Sequence, residues 1–270
     1  MSLEYQNEKT GTADEWEEKP QPAQVVTPFY SISLIVCLVV VWLCQLASDG
    51  TDSMILGGGN SALLAGFFKP AFAAGQYWRI LTSASLHAGV IHLAFNCYAL
   101  FVLGKLIEIL SNRAHLAIVF LLSAIGGNIL SFVFMPGIVP SVGASGGIVG
   151  FLGYLAAYGF IRRKLLPPSF LKNMLFNIGF IALYGIVLNR NIDNFAHLGG
   201  LLVGTIYGFT QIPRDLYADP RNVSAATKYF GFAALGIFIL TSIFSILILL
   251  GAIPVEIPNL DSLASLVSFK

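Results

Sequence analysis

The chain has 270 residues, of which 56% are hydrophobic and only 11% are charged, and its formal net charge is +1. Soluble domains carry roughly 25% charged residues. This composition, with a mean hydropathy of +0.77, therefore predicts a polytopic membrane protein and excludes a soluble globular domain. A net charge this close to zero gives no indication of a nucleic-acid partner.

A tail comes first along the chain: residues 1–27 are acidic, polar and contain prolines, which predicts disorder. Seven apolar stretches follow, most of them near the 20 residues that a helix needs to cross a bilayer. The predicted spans are 28–47, 88–110, 114–135, 145–161, 172–188, 195–211 and 230–253.

The connections between spans complete the predicted organisation. The longest one, 48–87, has aromatic stretches around Phe67-Phe68 and Tyr77-Trp78, and such residues favour the bilayer interface. We therefore expect part of it to lie along the membrane surface without crossing. Residues 212–229 form a linker before the seventh span, and residues 254–270 form a terminal tail.

The distribution of Lys and Arg predicts the orientation, because basic residues favour the cytoplasmic side. If the amino terminus is cytoplasmic, 11 of the 15 Lys and Arg residues fall on the cytoplasmic side. The tail 1–27 and the linker 212–229 are then cytoplasmic. The tail 254–270 is extracytoplasmic.

Polar residues recur at the starts of the second, fourth and sixth spans, which all run in the same direction. His92 and Asn96 lie near the start of the second span, Ser145 starts the fourth, and His197 is near the start of the sixth. Topology therefore places them at a similar shallow depth on the extracytoplasmic side. Polar side chains inside a membrane are costly unless they face each other or water, so this arrangement indicates a functional site.

Small residues also recur at three- and four-residue steps in two of these spans. The fourth span carries Gly146, Gly150, Gly153 and Ala157, and the sixth carries Gly200, Gly204 and Gly208. Such stripes lie on one face of a helix and let membrane helices approach closely. They predict contact between the two spans, with Ser145 and His197 at the same end. Glycines at this spacing are also ordinary helix-packing residues. That interpretation is compatible with a functional site, because close packing would position Ser145 and His197.

Each candidate residue has a second, structural interpretation. Ser145 could be a nucleophile, which needs an adjacent base, or the N-cap of the fourth span. His197 could be that base or a buried histidine that bonds a backbone carbonyl. Asp193 could orient His197 or cap the sixth span, and we favour capping and hence a Ser-His dyad.

The second span offers hydrogen-bond donors. His92 and Asn96 are one helical turn apart, so both could donate to an oxyanion, while the role of His87 at the mouth of the span stays open. A metal site built from these histidines is the alternative. The sequence has no His-Glu-x-x-His pattern and no carboxylate in this region, so we expect neither a metal nor a cofactor.

Taken together, these motifs resemble those of the rhomboid family of intramembrane serine proteases. The resemblance covers roughly residues 75–211. It rests on Trp78-Arg79, His87, His92-x-x-x-Asn96, Gly143-x-Ser145-Gly146 and Ala196-His197-x-x-Gly200-x-x-x-Gly204.

The resemblance implies a catalytic role for each matching residue. Ser145 would be the nucleophile and His197 the base, and His92, Asn96 and the Ser145 amide would form the oxyanion hole. Other residues would support the site: His87, Gly143 and Asp193.

The resemblance also implies an architecture and a cellular setting. A six-helix catalytic domain would occupy 28–211, and an additional carboxyl-terminal membrane helix would occupy 230–253. The expected partners are single-pass membrane protein substrates and the lipid bilayer. The expected location is the inner membrane of a bacterium.

One position departs from the family pattern. Many members carry an aromatic residue one turn after the serine, packed on the histidine ring, whereas this chain has Val149. Phe195 and Tyr154 are the candidates to replace it.

Two other functions compete with proteolysis. A non-catalytic rhomboid-like protein that binds membrane clients would typically lack the serine or the histidine, and this chain has both. A transporter would show internal repeats, and this sequence shows no convincing repeat.

Overall fold

A computed structural model describes residues 27–50, 59–135, 137–187 and 192–258. The predicted tail 1–27 lies outside these residues except for Thr27, and so does most of the tail 254–270. The described residues form the helices α1 (Phe29–Asp49), α2 (Asn60–Ala65), α3 (Lys69–Ala73), α4 (Arg79–Thr82), α5 (Val90–Leu110), α6 (Arg113–Phe134), α7 (Ser145–Ile161), α8 (Ser169–Val187), α9 (Asn194–Gln211) and α10 (Ala225–Leu249).

Seven of these helices correspond to the predicted spans, and their ends differ from the predictions by at most five residues. Helices α1, α5, α6, α8 and α10 are long and apolar enough to cross a membrane. Helix α7 is apolar but has only 17 residues, and α9 has 18. The prediction of an all-α polytopic membrane protein is confirmed.

The long connection before α5 contains the short helices α2, α3 and α4, which have six, five and four residues. Helices this short cannot cross a bilayer. Arg79 organises the connection: its Nη1 donates to the carbonyls of Leu63 and Gly66 at 2.9 and 2.8 Å, and its Nε donates to Oε1 of Gln76 at 2.7 Å. Burial lowers the pKa of Arg79 to about 10, so the guanidinium keeps its charge at neutral pH.

Helix α7 lies at the centre of the bundle, and most of its residues are buried. Its glycine face meets the glycine face of α9. A Cβ placed on Gly200 would overlap the carbonyl of Gly146, and a Cβ on Gly204 would overlap the carbonyl of Gly150. The predicted contact between the fourth and sixth spans is confirmed, because the two backbones touch directly.

Helix α10 packs against α6 and α1 on the outside of this central pair. Gly231 lies against the backbone of Ala114, and the rings of Phe238 and Phe120 meet edge to face with centroids 4.9 Å apart. Near the other end of α10, Ser245 Oγ lies 3.1 Å from Ser85 Oγ. The seventh helix therefore contacts the segment that leads into α5.

Candidate active site

Ser145 and His197 meet at the contact between α7 and α9. The Ser145 Oγ lies 2.8 Å from His197 Nε2, although the two residues are 52 positions apart. Ser145 is the first residue of α7, and Ala144 occupies the N-cap position without any side-chain capping bond. The interpretation of Ser145 as an N-cap is therefore wrong: its hydroxyl contacts the imidazole instead of the helix amides.

The second ring nitrogen of His197 bonds no backbone carbonyl in the part of the chain that the structure describes. His197 Nδ1 is buried and has no hydrogen-bond partner among the described residues. This differs from the alternative in which His197 is a structural histidine fixed by a carbonyl. In a neutral ring whose Nε2 accepts from the serine, Nδ1 carries the hydrogen.

Asp193 caps α9, as we favoured from the sequence. Its Oδ1 accepts from the amide of Ala196 at 2.9 Å, and its Oδ2 accepts from the hydroxyls of Ser141, at 2.7 Å, and Ser131. Its backbone carbonyl accepts from the His197 amide at 3.2 Å, but among the described residues its carboxylate makes no hydrogen bond to the His197 ring. Asp193 therefore fixes the start of the helix that carries His197 without touching the imidazole.

Lys69 joins this carboxylate to the long connection. Its Nζ lies 3.9 Å from Asp193 Oδ2 and donates to the carbonyl of Met135 at 2.6 Å. Burial lowers the pKa of Lys69, and the nearby carboxylate of Asp193 opposes this shift. The pair ties α3 to the start of α9.

Gly143 and His92 lie next to the serine. Gly143 has φ 130°, and a Cβ on this residue would lie 2.7 Å from His92 Cε1 and 3.8 Å from Ser145 Oγ. His92 Nδ1 accepts from the amide of Ala88 at 3.3 Å, so in the neutral ring Nε2 carries the hydrogen. A glycine is needed here because both the backbone angle and the imidazole exclude a side chain.

Asn96 and His87 flank His92. Asn96 is buried, and its Nδ2 donates to the carbonyl of His92 at 3.1 Å. The His87 ring centroid lies 5.2 Å from that of His92, and the His87 backbone is held by both ends of the Gln45 side-chain amide, at 2.9 and 3.2 Å. The structure thus brings all the predicted site residues to one end of the bundle.

The expected aromatic replacements for Val149 are wrong. Phe195 stacks on Phe134 with centroids 5.6 Å apart, and Tyr154 stacks on His115 at 6.0 Å. Neither ring stacks on His197 among the described residues. The reason is position: Tyr154 is two and a half turns along α7 from Ser145, and Phe195 faces α6.

Three residues of this region were missed from the sequence. Ser131, Ser141 and Lys69 all contact Asp193, from α6, from the segment before α7 and from α3. Single serines in apolar stretches are common, and no spacing relates these three residues to each other. Only the folded chain shows that all three contact the carboxylate of Asp193.

Comparison with known proteins agrees with the geometry. A sequence model of the rhomboid domain matches residues 74–214. Rhomboid protease GluP of Bacillus subtilis (strain 168) is 39% identical over 161 residues, which are 58% of this chain and 29% of that protein. RHOMBOID-like protein 6, mitochondrial, of Arabidopsis thaliana is 33% identical over 174 residues, which are 60% of this chain and 55% of that protein.

A relative from a third organism is similar at the same level. Rhomboid-like protease 3 of Toxoplasma gondii is 33% identical over 144 residues, which are 53% of this chain and 54% of that protein. The alignments therefore cover less than two thirds of each of these three relatives. The domain match spans more than half of the chain and runs across the site from His87 to His197, and the chain therefore belongs to the rhomboid family.

Proposed function

We propose that this chain is an intramembrane serine protease in which Ser145 and His197 form the catalytic dyad. The observation that carries the proposal is the 2.8 Å distance between Ser145 Oγ and His197 Nε2. A serine hydroxyl becomes a useful nucleophile when a base lies within hydrogen-bond reach. Relatives named as proteases, such as Rhomboid protease GluP of Bacillus subtilis (strain 168), support the same conclusion.

The dyad would work by acyl transfer. Ser145 Oγ attacks the carbonyl carbon of a substrate peptide bond while His197 Nε2 takes the hydroxyl proton. The same nitrogen then gives that proton to the leaving amine, and the acyl group stays on Ser145. A water molecule, deprotonated by His197, hydrolyses the ester and restores the serine.

The start of α7 would stabilise the negative oxygen of the tetrahedral intermediate. An α-helix leaves its first amides without intrahelical acceptors and carries partial positive charge at that end, and Ser145 is the first residue of α7. His92 and Asn96 would add side-chain donors. His92 Nε2 lies next to Gly143, 3.0 Å from the position that a Cβ on this glycine would occupy, and so is close to the start of α7.

The proposed substrates are single-pass membrane proteins, cut in or near the membrane. Three helices begin at the end of the bundle where the site lies: α5, α7 and α9. With the amino terminus in the cytoplasm, as the Lys and Arg distribution favours, this end is extracytoplasmic. We place the catalytic domain at 28–211, the linker at 212–229 and the seventh span at 230–253, in a bacterial inner membrane.

A cleavage assay tests the proposal directly. Purified protein should cleave a model single-pass substrate in detergent, and Ser145→Ala should abolish cleavage. Ser242→Ala is the matched control, because Ser242 is a buried serine of α10 whose hydroxyl donates to the Phe238 carbonyl in its own helix, at 2.9 Å. Cleavage that persists in Ser145→Ala would exclude Ser145 as the nucleophile.

Active-site labelling tests the role of the base. A fluorophosphonate probe should label the wild-type protein and the Ser242→Ala control at Ser145, and should fail to label His197→Ala. Equal labelling of His197→Ala would remove the base from the mechanism. A wild-type protein that neither cleaves nor labels, yet retains membrane clients during purification, would instead support a non-catalytic client-binding function.

A further inference from the structure

A cavity of about 440 Å³ lies at the end of the bundle opposite Ser145. It lies between the starts of α1, α6 and α10 and residues 221–223 of the segment that connects α9 to α10. Its polar lining residues are Tyr30, Asn112, Arg113, Arg221, Asn222 and Lys228. This cavity shares no residue with the proposed active site.

Asn112 builds one wall of the cavity. Its Oδ1 accepts from the Ala114 amide at 2.9 Å and so caps α6, while its Nδ2 donates to the Arg221 carbonyl at 2.9 Å. One side chain therefore holds the segment after α9 against the start of α6. These bonds hold one wall of the cavity without using the charged groups of Arg113 and Lys228.

The lining carries excess positive charge. Arg221 pairs with Asp219 at 2.9 Å, but Arg113 and Lys228 form no salt bridge among the described residues. The Arg113 guanidinium lies 5.9 Å from the centroid of the Tyr30 ring, which stabilises a cation without neutralising it. The carboxylate of a nearby acid, Glu108, accepts hydrogen bonds from the amide and the hydroxyl of Ser31, at 2.9 and 2.7 Å.

The helices that begin beside the cavity favour a position at the level of lipid headgroups. Helices α1 and α10, which supply Tyr30 and Lys228, are both apolar enough to cross a membrane, and both begin here. Phe29, Tyr229 and Phe230 are 57%, 69% and 61% exposed beside these lining residues. Exposed aromatic rings at the ends of membrane helices favour the interface, where they can contact acyl chains below a bound headgroup.

We infer that this cavity binds the phosphate-bearing headgroup of an anionic phospholipid. Such a lipid would contact two cations that have no acidic partner among the described residues, a cavity of headgroup size, and the exposed aromatic rings beside it. With the proposed orientation the site faces the cytoplasmic leaflet, where anionic lipids attract basic residues. The inference concerns binding alone and does not depend on the proposed protease activity.

Native mass spectrometry of the full chain, titrated with phosphatidylglycerol or phosphatidylcholine, tests the inference. The wild-type protein should bind phosphatidylglycerol more tightly than phosphatidylcholine. The double variant Arg113→Gln/Lys228→Gln should weaken phosphatidylglycerol binding about tenfold or more, because it removes direct charge-assisted contacts to the phosphate. Both side chains are exposed, so the variant should keep the fold, which its thermal unfolding in detergent checks.

The matched control removes two other cations from the chain. Arg163→Gln/Lys164→Gln changes exposed residues that follow α7, outside the cavity, and should leave phosphatidylglycerol binding within about twofold of the wild type. Equal losses in the two double variants would mean that general surface charge attracts the lipid, and would overturn the site. Equal binding of the two lipids by the wild type would also overturn it.

A competition arm distinguishes a lipid from a free phosphate. Inorganic phosphate at millimolar concentration should not displace phosphatidylglycerol, because it lacks the acyl chains that contact the exposed aromatic rings. Complete displacement at that concentration would show a site for small phosphate ions and overturn the lipid assignment.

Discussion

Gly200 of α9 lies directly against the backbone of Gly146 in α7, so that a Cβ on Gly200 would overlap the Gly146 carbonyl oxygen. Both residues are neighbours of the dyad, since Gly146 follows Ser145 and Gly200 comes three residues after His197. The two backbones touch because Gly200 has no side chain. This contact sets the helix separation at which Ser145 Oγ reaches His197 Nε2 at 2.8 Å.

Gly200→Ala should therefore separate the dyad. The added methyl group has backbone on its far side, so α7 and α9 must move apart, and we expect the free energy of unfolding to fall by about 1–3 kcal/mol. Cleavage and fluorophosphonate labelling should both be largely lost. Gly236→Ala in α10 is the control, because a Cβ there meets nothing within 4 Å. Wild-type turnover in Gly200→Ala would show that the glycine contact does not set the dyad.

Asp193→Ala should lower turnover through the position of α9. The change removes the N-cap of the helix that carries His197 and leaves Lys69 without its carboxylate partner, and we expect it to cost about 1–3 kcal/mol of unfolding free energy. Turnover should fall more than substrate binding does, because the proposed role of Asp193 is to position the start of α9 and not to bind the substrate.

Ser224→Ala is the matched control for Asp193→Ala. Ser224 caps α10 by accepting from the Thr227 amide at 3.1 Å, far along the chain from the dyad. Losing this cap should cost about 1 kcal/mol of unfolding free energy and leave turnover unchanged. Equal turnover losses in the two variants would indicate a general effect of stability.

Gly143→Ala should disturb the site in two ways. The positive φ of 130° is strained for alanine, and the new Cβ would lie 2.7 Å from His92 Cε1. Gly75→Ala isolates the first effect, since Gly75 has φ 103° and open space around it. Both variants should lose about 1–3 kcal/mol of unfolding free energy, but only Gly143→Ala should lose turnover. Turnover retained in Gly143→Ala would place His92 outside the reaction.

Asn96→Ala tests the proposed oxyanion hole. If Asn96 donates to the developing oxyanion, kcat should fall by roughly 10- to 1,000-fold while KM changes little. Asn177→Ala is the control, because the Asn177 side chain donates to the carbonyl four residues earlier at 2.9 Å, as Asn96 does at 3.1 Å. A kcat unchanged in Asn96→Ala would leave only His92 and the Ser145 amide as proposed donors.

Several features of this protein could be predicted from the sequence because they depend on local pattern. Hydropathy located the long helices, and α7 begins and ends at the predicted residues 145 and 161. The glycine steps predicted the α7–α9 contact because small residues at this spacing have few other uses in a membrane. Span direction placed His92, Ser145 and His197 at one end, since helices of the same parity start on the same side.

The seventh helix shows the limit of that pattern. The sequence predicts its start at residue 230, whereas α10 begins at Ala225. The difference arises because Ser224, which caps the helix, and the first turn, which contains Thr227 and Lys228, are too polar for a hydropathy pattern to include. A hydropathy pattern detects the membrane-buried part of a helix. A capping bond decides where the helix itself begins.

The sequence by itself determined which residues form the candidate site and at which end of the bundle they lie. The tertiary structure decided how those residues are held: Ser145 is not a cap, Asp193 gathers Lys69, Ser131 and Ser141, and no candidate aromatic stacks on His197. The physical reason is the distance along the chain over which each kind of signal acts. Periodicity and hydropathy act along one helix, whereas these contacts join side chains from separate elements that only packing brings within hydrogen-bond distance.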